Sequence, residues 1–247
     1  MRGSRSAPLV LGHRGYRARF PENTLLAFRE ALKAGAGGIE CDLQKGGDGT
    51  YVIIHDPGTA RVAGSDLAVS RAVVRDLREL DLGGGERIPL LEEMLREMPD
   101  GAYLDLELKQ ETLTTADCLP VSDILRAFRA RIRLMVSSFD PALLAPFRKM
   151  GFTVGYLVGE DDAGRGLLGF AGTLLRLRPQ FLNLPVEMIG VLGAGRAGLL
   201  FRFLRACGFS LLFWTVNTGA DAIRCAPHAR IIVTDEIDLV LRALAAR

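Results

Sequence analysis

The chain has 247 residues, 49% of them hydrophobic and 24% charged, enough apolar mass for one core of medium to large size. Its 31 Lys and Arg nearly balance 29 Asp and Glu, giving a formal net charge of +2. That balance argues against a nucleic-acid binder with a basic face and against an acidic disordered chain.

The first eight residues are basic, but only Leu9-Val10-Leu11 follows before Gly12-His13, too short for the apolar core of a signal peptide. No uncharged apolar run reaches the roughly 18 residues of a membrane span. Residues 188–214 come closest, and Arg196, Arg202 and Arg205 interrupt them. The four cysteines (Cys41, Cys118, Cys207, Cys225) are scattered, and none is at CxxC spacing. This argues against a zinc site or a disulfide scaffold and for a reducing compartment. The expectation is a cytoplasmic protein without stable membrane insertion.

Short apolar runs occur at residues 9–13, 38–43, 51–55, 102–108, 134–139, 152–158, 181–185, 210–216 and 231–234. Between most of them lie stretches with apolar residues at helical spacing, at 24–33, 90–98, 121–130, 141–150, 199–206 and 237–246. Asn23 reads as the N-cap of the first. Strand–helix alternation throughout predicts an α/β domain with a largely parallel sheet, and at this length a (β/α)8 TIM barrel as a single domain over residues 1–247. Nine runs are one too many for eight barrel places. The link from 44 to 50 is too short for a crossover helix, so 51–55 forms a hairpin insertion after the second strand. Folding about residues 47–48 sets Glu40 roughly opposite His55. Residues 57–89, with one short helix at 67–80 and Gly83-Gly84-Gly85, read as a lid excursion over the barrel mouth.

Three histidines occur. His13 and His55 end apolar runs, where barrel enzymes keep their chemistry; His228 reads as surface. Glu40 and Asp42 share one strand face. Asp105, Glu107 and Lys109 alternate with Leu104, Leu106 and Leu108. An edge strand with a solvated face would give this pattern, but in an alternating α/β chain the strand is central and its charges point into the barrel. Glu40, Asp42 and Glu107 then form an all-oxygen set suited to one hard divalent cation, Mg²⁺ or Ca²⁺. Lys109 neutralises residual charge or holds a phosphate oxygen. Gly193-Ala194-Gly195-Arg196-Ala197-Gly198 matches GxGxxG. It lacks a convincing strand before it, an acidic residue at the right distance and room for a dinucleotide fold.

Gly12-His13-Arg14-Gly15, Pro21-Glu22-Asn23-Thr24, Ile39-Glu40-Cys41-Asp42 and Ile54-His55-Asp56-Pro57 together resemble the N-terminal signature of the glycerophosphodiester phosphodiesterases. Leu106-Glu107-Leu108-Lys109, Ser137-Ser138-Phe139-Asp140, Trp214-Thr215-Val216-Asn217 and Thr234-Asp235 continue the likeness in order. The resemblance implies a (β/α)8 barrel that hydrolyses glycerophosphodiesters to glycerol 3-phosphate and an alcohol. It implies a divalent cation on Glu40, Asp42 and Glu107, and His13 and His55 as the general acid–base pair. It further implies that Arg14 and Lys109 contact the phosphate, that Trp214 lies near the glycerol, and that Glu22 and Asn23 shape the loop after His13. Two departures stand out: Val62-Ala63 follows Arg61 where the family usually has two threonines, and Cys41 replaces Leu or Val. The expected partner is a small-molecule substrate and no nucleic acid, with oligomeric state left open. Two alternatives remain: a lysophospholipase D-type hydrolase using residues 165–178 as a basic amphipathic membrane contact, and a non-catalytic phosphodiester-binding barrel.

Overall fold

The computed structural model describes residues 7–246. Nine strands alternate with helices: β1 Leu9–His13, β2 Gly38–Lys45, β3 Tyr51–Ile53, β4 Tyr103–Leu108, β5 Arg133–Ser138, β6 Thr153–Leu157, β7 Phe181–Pro185, β8 Ser210–Trp214 and β9 Ile231–Thr234. The helices are α1 Leu25–Lys33, α2 Ala60–Ala63, α3 Val74–Glu79, α4 Leu91–Glu97, α5 Cys118–Arg126, α6 Pro141–Lys149, α7 Glu160–Leu177, α8 Glu187–Leu192, α9 Ala194–Ala206, α10 Gly219–Cys225 and α11 Ile237–Ala245. Eight strands close into a parallel barrel in the order β1-β2-β4-β5-β6-β7-β8-β9, with β9 returning to β1. The ninth, β3, pairs antiparallel with the outer half of β2 alone among the named strands, as the loop length required.

Alternation along each strand sorts the residues. On β4, Leu104, Leu106 and Leu108 are at most 3% exposed and join the large core between barrel and helices. Each contributes about 1.5–3 kcal/mol of burial. Asp105 and Glu107 take the inner face, so β4 is central and not an edge strand. Leu11, Met135, Leu212, Ile231 and Val233 form a separate apolar plug inside the barrel. The polar side chains therefore crowd to the C-terminal end of the strands.

The local signals resolve in detail at α1. Thr24, not Asn23, is its N-cap, accepting from the Ala27 amide at 3.1 Å. Asn23 instead adopts a left-handed φ of 57° and turns toward β2. The hairpin pairs Leu43 with Ile53 and Lys45 with Tyr51, so its centre is residue 48 and the projected partner of Glu40 is Asp56. His55 reaches the mouth by another device. Fully buried Gln44 donates its amide to the carbonyls of Ile54, His55 and Asp56 at 3.2, 2.8 and 2.7 Å.

The excursion over 57–89 leaves the barrel where expected but packs beside the hairpin. Within 67–80 only α3 is helical. Val69, Leu77 and Ile88 bury themselves with Val52 and Ile54 in a small cluster of their own. Its tip is tied to α1, where Glu86 Oε2 accepts from the Leu26 amide at 3.1 Å. The Gly193–Gly198 motif joins helix α8 to helix α9, so no strand feeds it and the dinucleotide reading falls. His228 is half-buried with its ring centroid 5.4 Å from that of Phe201, and is not a surface residue. The 165–178 segment forms most of α7, which kinks at Gly166. Leu174 and Leu177 pack on the barrel while Leu168 and Leu175 face outward. The side chains of Arg165 and Leu167 lie outside the described residues. Among the described residues no helix is long and apolar enough to cross a membrane.

Candidate active site

A cavity of about 280 Å³ opens at the C-terminal end of the barrel strands. His13, Arg14, Glu40, His55, Glu107, Lys109 and Trp214 all line it. Asp42 stands just behind, 1% exposed. All eight residues singled out in the sequence thus converge. No residue of the 57–89 excursion is among those that line the cavity.

The turn after β1 brings the first two in. Arg14 has a left-handed φ of 52°, and Gly15 follows at 83°, where a Cβ would fall 2.7 Å from Ala27. This geometry points the Arg14 amide at Glu40 Oε2, 3.0 Å away. Gly155 makes room lower down, since a Cβ there would lie 2.9 Å from the Asn183 side chain.

Glu40, Asp42 and Glu107 each offer an oxygen within 4.8 Å of the others. Lys109 Nζ bridges two of them, 2.5 Å from Glu107 Oε1 and 2.9 Å from Asp42 Oδ1. Asp42 also accepts from Asn23 Nδ2 at 2.8 Å and faces Arg14 Nε at 3.4 Å. Burial opposes its charge, but Lys109 and Arg14 outweigh burial and hold its carboxyl well below the usual range. The other two are under-compensated. Burial, then the charges of Asp42 and Glu107, push Glu40 well up. Burial, only partly offset by Lys109, pushes Glu107 up to about 7. Asp105 lies one layer deeper, bonded by Ser137 Oγ at 2.6 Å, and burial pushes it up to about 7 as well. The cluster therefore lacks positive charge, and its oxygen spacing and hard donors fit a divalent cation.

Both mouth histidines are held by a carboxylate at Nδ1. Asp235 Oδ1 is 2.7 Å from His13, and Asp56 Oδ1 is 2.6 Å from His55. Burial works against an ionised Asp235, but the bonds from His13 and Asn217 outweigh it and hold its pKa low. An ionised carboxylate only accepts, so each ring carries its hydrogen on Nδ1 when neutral and leaves Nε2 for chemistry. His13 Nε2 lies 3.9 Å from Glu40 Oε2. Burial, outweighing the pull of Asp42, lowers the pKa of His55. Opposite the acids, Phe139 and Trp214 meet edge to face at 5.8 Å. The Trp214 indole N–H has no partner among the described residues.

Sequence reasoning assigned no role to Gln44, Asp56, Ser137, Asn183, Asn217 or Asp235. Asp56 and Asp235 sat inside the quoted motifs, next to the loops they serve, but their partners depend on tertiary contacts.

A parallel barrel that gathers its ionisable side chains at the C-terminal mouth belongs to the enzyme class of that fold. Comparison with known proteins narrows the class. The model of the glycerophosphoryl diester phosphodiesterase family matches residues 13–239. A glycerophosphodiester phosphodiesterase of Caldanaerobacter subterraneus subsp. tengcongensis is 32% identical over 235 residues, covering 87% of this chain and 88% of its own. The crystal structure of the Thermotoga maritima glycerophosphodiester phosphodiesterase superposes with a TM-score of 0.81 at 30% identity, covering 97% of this chain and 99% of that one. An Oleispira antarctica phosphodiesterase, solved with the product sn-glycerol-3-phosphate, shares the fold with a TM-score of 0.82 at 24% identity over 97% of each chain. The chain belongs to the glycerophosphoryl diester phosphodiesterase family, and is an enzyme of the phosphoric diester hydrolase class.

Proposed function

We propose that this chain hydrolyses glycerophosphodiesters to glycerol 3-phosphate and an alcohol, using a divalent cation on Glu40, Asp42 and Glu107 and the pair His13 and His55 as general acid and base. One observation carries the reading: two imidazoles, each anchored at Nδ1, share a cavity with a buried carboxylate cluster that is short of positive charge. The product seen on the Oleispira antarctica relative supports the assignment of glycerol 3-phosphate.

A bound cation supplies Lewis-acid polarisation of a non-bridging phosphoryl oxygen. The chain's own residues do the rest. Arg14 and Lys109 present fixed positive charge to the phosphate, which gains negative charge as water attacks phosphorus, either directly or to open the cyclic phosphate left when the glycerol's own hydroxyl attacks first. One imidazole takes the proton of the attacking hydroxyl at Nε2. The other gives its Nε2 proton to the departing alcohol oxygen as the P–O bond breaks. Asp235 and Asp56 hold the two rings in orientation and stabilise whichever one is positive. Trp214 and Phe139 form the apolar wall for the glycerol carbons.

The test compares wild type with His13→Ala and His55→Ala on glycerophosphocholine. Each variant is expected to lose about 10²–10⁴ in kcat, the usual worth of a positioned acid or base, with an unchanged circular dichroism spectrum. A variant that keeps wild-type kcat removes that histidine from the mechanism.

A further inference from the structure

Glu22 lies in the loop between β1 and α1 with its side chain 8% exposed, and three guanidinium groups converge on it. Its Oε1 accepts from Arg14 Nη1 at 2.9 Å and from Arg61 Nη2 at 2.7 Å. Its Oε2 accepts from Arg61 Nη1 at 2.8 Å and lies 2.9 Å from Arg17 Nε. Arg61 has one more donor, Nε, and places it 2.5 Å from Asp56 Oδ2. The second oxygen of Asp56 is the one that holds His55 Nδ1. An unbroken chain of charge-assisted bonds thus runs from Arg14 through Glu22, Arg61 and Asp56 to His55.

Arg61 belongs to α2, in the excursion, none of whose residues lines the cavity. Its own base is well fixed. Thr59 is fully buried, bonds Ser65 and accepts from the Leu67 amide at 3.0 Å. The excursion is tied a second time just beyond that loop, at the first turn of α1, through Glu86 and Leu26. None of Glu22, Arg61 and Asp56 lines the cavity. They can affect the reaction only through the groups they hold.

We propose that Arg61 and Glu22 are positioning residues, which lock Arg14 and His55 into one rigid unit and make the excursion a strut for the site. The proposal rests on the acid–base role of His55 given above. A guanidinium is required because its fork serves one carboxylate with two donors while the third donor serves another. A single ammonium can bridge two carboxylates, as Lys109 does, but it cannot give one of them two donors in a fixed plane while it serves the other.

The experiment measures kcat, KM and thermal midpoint for Arg61→Gln, Arg61→Lys and Glu22→Gln, and for Arg61→Gln combined with His55→Ala. Arg61→Gln is expected to lower kcat by about 10- to 100-fold with little change in KM, as for other groups that orient a reacting residue. Arg61→Lys keeps the charge and the fold and is expected to lose kcat likewise. Glu22→Gln is expected to lower kcat and also raise KM, since Arg14 is released. In the His55→Ala background, Arg61→Gln is expected to cost nothing further. A wild-type kcat in a folded Arg61→Lys or Arg61→Gln, or the same fold-loss repeated in the His55→Ala background, overturns the positioning role. A wild-type kcat in His55→Ala instead overturns the underlying reading of His55.

Discussion

His13 and Asp235 stand 222 residues apart in the chain and 2.7 Å apart at the barrel mouth, Nδ1 against Oδ1. Asn217 donates to the other oxygen of Asp235 at 2.8 Å and accepts from its amide at 2.9 Å, so the carboxylate cannot swing away. Replacing it by an amide of the same size keeps the packing but removes the charge, and allows an N–H to face Nδ1. Asp235→Asn is therefore expected to lower kcat by about 10- to 100-fold at nearly constant KM. Steady-state kinetics with a thermal melt decide the matter; an unchanged kcat would leave Asp235 as a barrel-closing residue only.

The carboxylate cluster predicts a measurable dependence on cation. EDTA is expected to abolish turnover, and Mg²⁺ or Ca²⁺ to restore it. The thermal midpoint of the cation-free protein is expected to rise on addition, since a ligand at 100 times its Kd adds about 2.7 kcal/mol. Glu107→Gln is expected to shrink that rise, because it removes one of three carboxylate charges whose oxygens lie within 4.8 Å of each other. Full activity in EDTA would sink the cation reading.

Acid stability follows from Glu22. Burial opposes its charge, but its bonds to Arg61 and Arg14 hold its carboxyl down at about 2, against an ordinary value of 4.5. The sign is fixed by linkage: between these values the unfolded chain binds the proton and the folded chain does not. The stabilisation is complete above about pH 4.5 and drains away as pH falls through about 2. Asp56, also held at about 2, acts in the same direction. Urea denaturation from pH 5 down to about 2.5 is expected to show a shallower fall for Glu22→Gln than for wild type. Equal slopes would contradict the network.

Substrate size follows from the cavity. At about 280 Å³ it is at the small end for ligand pockets, and Arg17 and His55 stand on its polar side. Water-soluble diesters such as glycerophosphocholine are expected to have a higher kcat/KM than lysophosphatidylcholine kept below its micellar concentration. The reverse order would make the exposed Leu168 and Leu175 of α7 a membrane contact to pursue.

What the sequence revealed was local. The alternation of Asp105, Glu107 and Lys109 with three leucines requires no knowledge of distant partners, and it located both the inner face of β4 and the metal-type cluster. The seven-residue stretch over 44–50 forced a hairpin for steric reasons alone. Asn23 misled because its residue type suits an N-cap, while Thr24 has the extended backbone, φ −111° and ψ 157°, that the cap requires. The partners of the two histidines differ in legibility. Asp56 adjoins His55, but its role appears only once Arg61 is placed. Asp235 meets His13 only when the barrel closes. For the excursion, loop length shows that a segment departs, and not which way its apolar face turns.

The pairing of β1 with both β2 and β9 also sets a clock. At roughly 5–20 residues per second, synthesis separates residue 13 from residue 235 by about 10–45 s. Until β9 exists the first strand can pair with β2 alone, and His13 has no Asp235 to anchor its ring. A fragment ending at residue 230 holds every metal-type carboxylate and both histidines, yet it is expected to show no turnover. The mouth is assembled only once β9 pairs with β1 and brings Asp235 to His13.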